Sequence, residues 1–488
     1  MTCLVRLTGV TAVCLIAHGL APRAAQAGQV TQTSSVTIQP ASPPTAPGTA
    51  PQPAQATPQP AAQTTPTAPA TPPRLPLPNR LNTVLPAWLR VRGEFRERFE
   101  GFENLGFNST RDDTYWLSRF RVGATVTPSK ALSFQVQVQD ARVGKKTVGP
   151  TGTPFRAPLD LRMAFADVGN AKGPATIRGG RQELAYGDQR LIGHVSWLNA
   201  ARVFDGARLT LRSKNVMLDT FATSVVRTLE EDFDQSGFGN RFAGAYVTAP
   251  RLVPQGSLEP YVFYRRDGNL TGEGGVLGSL HQTTIGARFA GKMPARLDYN
   301  VEMVMQRGSL STNDVSAWAG HWQLRESLAG KGAVKLTGEF NYASGDENPA
   351  DGTRGTFDQL YPTPHDKYGL ADQIGWKNIQ HVRAGFEVTP FKGFPITTNY
   401  HSYWLANRND ALYNVASAVV APRIPGGAAS RFVGQEIDVQ VSKTLFPQLQ
   451  LAGGYAHMFT GAFLKESTPG ASFSYPYVMA TYVFLADK

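Results

Sequence analysis

Cysteine is almost missing from this sequence of 488 residues: there are two, Cys3 and Cys14, both within the first 27 positions. The remainder offers nothing for a disulfide scaffold or a Cys-ligated metal. Long apolar runs are missing as well. No stretch of eighteen apolar residues occurs and mean hydropathy is −0.24, so no segment suits a membrane-spanning helix. Charged residues make up only 17% of the chain, and none of the acidic ones precedes Glu94. There is no G-x-S-x-G, P-loop or dinucleotide fingerprint, and the histidines form no H-x-x-x-H or H-E-x-x-H pattern. These absences argue against the common enzyme classes and against helical membrane proteins. They leave a soluble multidomain protein or a transmembrane β-barrel, whose alternating strands keep mean hydropathy near that of soluble proteins.

The first 27 residues read as a Sec-type signal peptide. Arg6 gives a small positive start, Leu7 to Leu20 is mostly apolar, and Ala25-Gln26-Ala27 is an A-x-A cleavage site. Residues 28–80 collapse into Pro, Ala, Thr and Gln. Fourteen of the chain's 35 prolines fall between Pro40 and Pro78. Such a segment buries too little apolar surface to offset its ordering entropy, and is expected to be an extended, partly polyproline-II periplasmic spacer.

From residue 81 to 488 the periodicity is two. Leu132, Phe134, Val136 and Val138 alternate with Ser133, Gln135, Gln137 and Gln139. Val433, Ile437, Val439 and Val441 alternate with Gly434, Glu436, Asp438, Gln440 and Ser442. Successive side chains of a strand point to opposite faces, so each segment has one apolar and one polar face. About eighteen such segments can be counted, joined by connections that alternate between short and long; the long ones fall near 100–115, 143–157, 185–200, 344–377 and 407–430. This predicts an all-β fold, a transmembrane antiparallel barrel with short periplasmic turns and long extracellular loops. A soluble sandwich or propeller explains the alternation but not the strand length or the two classes of connection. Trp116, Phe120, Trp318, Trp322, Tyr342, Tyr400, Trp404, Tyr482 and Phe484 near strand ends suit interfacial girdles. The segment Tyr477 to Phe484 is similar to the C-terminal signal read by barrel-assembly machinery, although Leu485 to Lys488 follow it.

The formal charge is +11, from 48 basic and 37 acidic residues. A basic balance first suggests nucleic acid or a membrane surface. Placement points elsewhere, because the arginines alternate with apolar residues. Arg90, Arg92, Glu94, Arg96 and Arg98 oppose Leu89, Val91, Phe95 and Phe99; Arg119 and Arg121 flank Phe120 and Val122. Arg162, Arg208, Arg288 and Arg383 sit in the same kind of pattern. An arginine facing lipid at the bilayer midplane costs about 2–4 kcal/mol, so these side chains are expected in the lumen. There they bind anions, carboxylates above all, through the flat guanidinium fork. The plainer reading pairs them with lumenal acids such as Glu94, and half of them are expected to be so paired.

One stretch is more specific than alternation. Gly180-Arg181-Gln182-Glu183-Leu184-Ala185-Tyr186-Gly187-Asp188-Gln189-Arg190-Leu191-Ile192-Gly193, then Trp197-Leu198-Asn199 and Arg202-Val203-Phe204-Asp205-Gly206-Ala207-Arg208, resembles the alginate-export family of outer-membrane porins. Phe357 to Gly369, on the longest expected loop, looks like a second signature. The resemblance implies an eighteen-stranded monomeric barrel passing an anionic polysaccharide through an arginine-rich constriction, with loops as plugs. It places Arg181, Arg190, Arg202 and Arg208 among the positive positions, with Asp188 and Asp205 as counter-charges. Strict period two from Ile177 turns Arg181 outward, so facing the pore requires a bulge near Gly179-Gly180.

Asp346-Glu347-Asn348-Pro349-Ala350-Asp351-Gly352 resembles a calcium loop without the EF-hand spacing. Calcium on Asp346, Asn348 and Asp351 is the one cofactor reading the sequence offers, against solvated acidic loops that bridge lipopolysaccharide. Three functions stay open: a passive, non-enzymatic channel for an alginate-like poly- or oligosaccharide, a selective uptake porin for small organic anions or oligosaccharides, and a barrel enzyme or closed structural barrel. The channel readings imply outer-membrane lipid, lipopolysaccharide, the assembly machinery and periplasmic secretion proteins as partners, and no nucleic acid.

Overall fold

The computed structural model describes residues 77–484, apart from 254, 273–274 and 329–333. The expected signal segment and nearly all of the expected spacer lie outside the described residues. The first element is a helix, Leu77–Val84, which straddles the expected boundary between residues 80 and 81. Eighteen antiparallel strands follow and close into a barrel. The first six are β1 (Leu89–Phe102), β2 (Asp113–Ser129), β3 (Leu132–Gly144), β4 (Ala157–Val168), β5 (Ala175–Gln182) and β6 (Phe204–Arg212). Next come β7 (Met217–Arg227), β8 (Gln235–Val253), β9 (Gly256–Thr271), β10 (Leu277–Met293), β11 (Leu297–Leu310) and β12 (Asn313–Ser327). The last are β13 (Lys335–Ala343), β14 (Ile379–Phe391), β15 (Phe394–Leu405), β16 (Phe432–Phe446), β17 (Leu449–Thr460) and β18 (Phe473–Phe484). Each strand pairs with its chain neighbours, and β1 pairs with β18 from Gly93–Phe484 to Glu100–Tyr477, so no edge is left open.

Alternation explains the wall. Phe95, Phe99, Phe120, Val136, Ile285, Met305, Trp318, Phe340 and Phe386 are exposed on the outside, as lipid-facing residues must be, while their chain neighbours turn into the lumen. One interruption changes a side chain's direction. In β4, Leu161 pairs with Val138 and Met163 with Gln137, leaving Arg162 as the extra residue of a β-bulge. Met163, expected beside Leu161 on the lipid face, is therefore buried.

The packed interior lies inside the barrel. Two long connections, 183–203 and 344–378, carry fully buried Trp197, Phe357, Tyr368 and Trp376, which pack with the inward faces of Phe204, Phe242 and Phe263. The two connections are bonded to each other by the Tyr361 amide to the Leu191 carbonyl (2.8 Å), Gly193 to Tyr361 (2.8 Å) and Thr363 to Gln189 (2.9 Å). Gln306 of β11 fastens the second connection from the wall, accepting from the Asp358 amide (2.8 Å) and donating to its carbonyl (2.6 Å). Folding inward suits their content, since both are rich in aromatic and apolar residues that an exposed loop would leave in water.

Candidate functional site

Period-two alternation on neighbouring strands brings Arg96 (β1), Arg119 and Arg121 (β2) and the bulged Arg162 (β4) onto one inner wall, all buried. Connection 183–203 lies against them and offers backbone oxygens. Arg96 donates to the carbonyls of Ser196 (3.1 Å) and Trp197 (2.8 Å) and to Asn199 Oδ1 (3.3 Å). Arg119 donates to the carbonyls of Ser196 (2.5 Å) and Leu198 (2.8 Å) and holds Glu94 through Nε (2.9 Å). Arg121 Nε meets the Gln139 side-chain oxygen at 2.7 Å, and Arg162 pairs with Glu183 while also bonding Gln137 (2.5 Å).

The charges do not balance. Among the described residues neither Arg96 nor Arg121 has a carboxylate within ion-pair distance, and the buried Nη2 of Arg121 has no hydrogen-bond partner. A buried donor left unmet costs about 1–3 kcal/mol, more on a charged group, which suits a site that a ligand oxygen completes. Burial pushes the Glu183 carboxyl up, but Arg162 and then His194 and Arg121 outweigh it and hold it at about 2. Burial, with Arg162, Arg121 and Arg119 close by, lowers the His194 imidazole below its ordinary range. Arg98, one residue pair further along β1, lies flat on Trp197 with its guanidinium carbon 3.6 Å from the ring centre, and pairs with Glu100 (2.5 Å).

The other expected arginines are spread more widely. Arg190 pairs with Asp188 (3.1 Å) and Glu339 (2.9 Å); Arg383 also pairs with Glu339; Arg288 pairs with Glu259 (2.8 Å). Arg202 serves the inward connections, bonding the Pro362 carbonyl (3.0 Å) over the Tyr361 ring, and burial brings it down to about 10. Arg208 is half-buried on the lumen face of β6 beside Tyr186. Arg90 bonds the carbonyls of Pro86 (2.8 Å) and Leu89 (2.7 Å) at the β1 entry, and Arg92 is exposed near that end. Among the described residues, Arg119, Arg162, Arg181, Arg190, Arg288 and Arg383 have a carboxylate partner, so the paired reading holds for these residues and not for Arg96 and Arg121.

Arg181 and Asp205 correct the expectation. No bulge forms near Gly179-Gly180; β5 and β6 pair without a register shift, Arg181 opposite Asp205, and Gln182 takes the buried inward place. Both side chains therefore face outward, joined at 2.8 Å and 3.0 Å. Asp188 faces inward and stays a counter-charge, to Arg190 and Lys367 (3.5 Å). Asp346, Asn348 and Asp351 cap their own loop: Asp346 accepts from the Asn348 (3.0 Å) and Gly355 (3.2 Å) amides, and Asp351 from Thr353 (2.7 Å). Among the described residues no group of three or more His, Asp or Glu is placed to hold a metal ion. Trp197 and Asn199 stand in the quoted motif, but nothing in its pattern signals what they do. Asn199 Nδ2 pins the connection to the carbonyls of Ser118 (3.0 Å), Arg142 (2.9 Å) and Phe155 (3.0 Å).

A closed eighteen-stranded barrel with an apolar outer wall and a charged lumen is a porin-type channel of the Gram-negative outer membrane. The chain belongs to the alginate export family, whose profile matches residues 87–477. Solved structures with the same fold include Pseudomonas aeruginosa OccD3 (OpdP), with TM-score 0.55, 10% identity, and coverage of 82% of this chain and 91% of that one. Acinetobacter baumannii OccAB2 has TM-score 0.54 and 14% identity, over 81% and 98% of the two chains. Pseudomonas aeruginosa OccK2 (OpdF), crystallised in complex with glucuronate, has TM-score 0.54 and 10% identity over 81% and 96%. None of the curated proteins compared with the chain matches it.

Proposed function

We propose that the protein passes an anionic, uronate-like poly- or oligosaccharide across the outer membrane, its carboxylates moving from one guanidinium to the next along Arg96, Arg119, Arg121 and Arg162. The observation that carries this reading is the uncompensated charge of Arg96 and Arg121, with the unmet Nη2 of Arg121. Weak binding at several neighbouring sites lets a polymer enter and also leave. Membership of the alginate export family supports the acidic sugar. The inward connections, 183–203 and 344–378, narrow the path and act as plugs that must shift for a chain to thread. That same narrowing favours a second reading, uptake of small organic anions or oligosaccharides.

Planar-bilayer conductance of the full chain separates the two. Anion-selective current blocked by oligouronates of several sugars supports the polymer; current blocked only by monomeric acids supports the second reading. Current with no anion preference overturns both.

A further inference from the structure

A second basic cluster lies outside the lumen. Arg241 (β8), Arg266 (β9) and Arg307 (β11) sit on the outward face of the β8–β11 wall, with β10 between the last two, and all three are exposed. Register fixes their height. Val262, Ile285, Met305 and Trp318 form one exposed, lipid-facing row across β9 to β12. Arg307 stands one row further toward the long-loop side, level with Tyr264, and Arg266 one row beyond that, opposite both Arg241 and His281. Rows on one face are about 6.6 Å apart, so the cluster begins directly above the apolar band, at headgroup height in the outer leaflet.

Two other outward arginines carry their own acids. Arg142 is held by Asp140 at 2.8 Å and Arg181 by Asp205 at 2.8 Å. Among the described residues no carboxylate lies within ion-pair distance of Arg241, Arg266 or Arg307, and the nearest acid of the upper row, Asp314, stands opposite Ser309. Arg241 Nε reaches the Phe238 carbonyl (3.2 Å) and Arg307 Nη1 the Gln306 (2.7 Å) and Ala317 (3.4 Å) carbonyls, backbone contacts that leave their charge uncompensated. Three unpaired guanidinium forks around a Tyr264–His281 hydrogen bond (2.9 Å) match phosphate oxygens in charge and geometry.

We propose that Arg241, Arg266 and Arg307 form a binding site for the phosphate groups of lipid A, the phosphorylated glycolipid anchor of lipopolysaccharide, on the outer wall of β8 to β11. The site is independent of what the lumen carries. The test uses the full chain in nanodiscs, titrated with bisphosphorylated lipid A and followed by native mass spectrometry. The wild type should bind it about tenfold more tightly than dephosphorylated lipid A, a preference that R241Q/R266Q/R307Q loses and R142Q keeps. A heat-modifiable gel band reports folding; if the triple variant lacks it, R266Q alone should lose about threefold. Three results would overturn the assignment: a preference retained in the arginine variants, equal loss in R142Q, or equal competition by inorganic phosphate or phosphatidylglycerol, which marks a general anion site.

Discussion

The two sides of the lumen are built from the same inward-facing alternation yet end in opposite states. On the β1–β4 side, arginines outnumber acids and rest on backbone oxygens of an inserted connection. On the β12–β16 side the polar groups close on themselves. His321 bonds Asn341 (2.8 Å), Asn341 bonds His381 (2.9 Å), His381 bonds His401 (2.8 Å), and His401 ends on Asp438 (3.0 Å). Glu339, in the same patch, holds Arg190 and Arg383 and accepts from Asn341. Guanidinium groups paired with buried carboxylates stiffen a wall, whereas guanidinium charge left without a carboxylate is a place for an anionic ligand. What separates them is cross-strand partnership, not the pattern within a strand.

The comparison breaks most readily at its charge-paired side. Glu339→Ala leaves half-buried Arg383 without a carboxylate and buried Arg190 with Asp188 alone, and should cost about 3–5 kcal/mol, read as a lower unfolding midpoint in urea. Trp197→Ala, which removes the plate beneath Arg98, should cost a similar or slightly smaller amount, about 3 kcal/mol in the same assay, and loosen connection 183–203. On the unbalanced side, Arg96→Glu with Arg121→Glu should leave the barrel folded but lower the anion-to-cation permeability ratio by about tenfold, near 1.4 kcal/mol. If selectivity is unchanged, the arginine wall of β1 to β4 is not the path. Between pH 7 and pH 4 Glu183 stays ionised, because it titrates at about 2; Glu183→Gln should therefore leave the pH profile in that window unchanged. The smallest effect concerns Lys377, buried over the Tyr413 ring at 4.4 Å and brought down by burial to about 8. It is charged below that pH and neutral above, so anion selectivity should fall slightly from pH 7 to pH 9, and Lys377→Met should abolish the step.

Much of the barrel was legible because lipid enforces a strict rule: an apolar residue at every second position, with strands long enough to cross. That rule found eighteen strands and placed Arg96, Arg119 and Arg121 inward. It also pointed Arg181 outward; only the motif argued otherwise, and the unshifted register with Asp205 shows that parity was the better guide. The connections follow no period, so nothing in the sequence signalled that Ser196 and Leu198 would offer their carbonyls to the arginines. Cross-strand partners such as His381 and His401 lie twenty residues apart in the chain, and their meeting depends on register that alternation alone leaves open.

The seam between β1 and β18 has a consequence for assembly. It joins the first strand to the last, so the wall cannot close until the final hairpin arrives. Connections 183–203 and 344–378, clasped through Tyr361, hang from strand ends at the long-loop mouth and fill the lumen from there. Closure of this barrel is thus a late, long-range event, and a chain stalled before β18 would present two open sheet edges, β1 and β17, ready to pair with another chain.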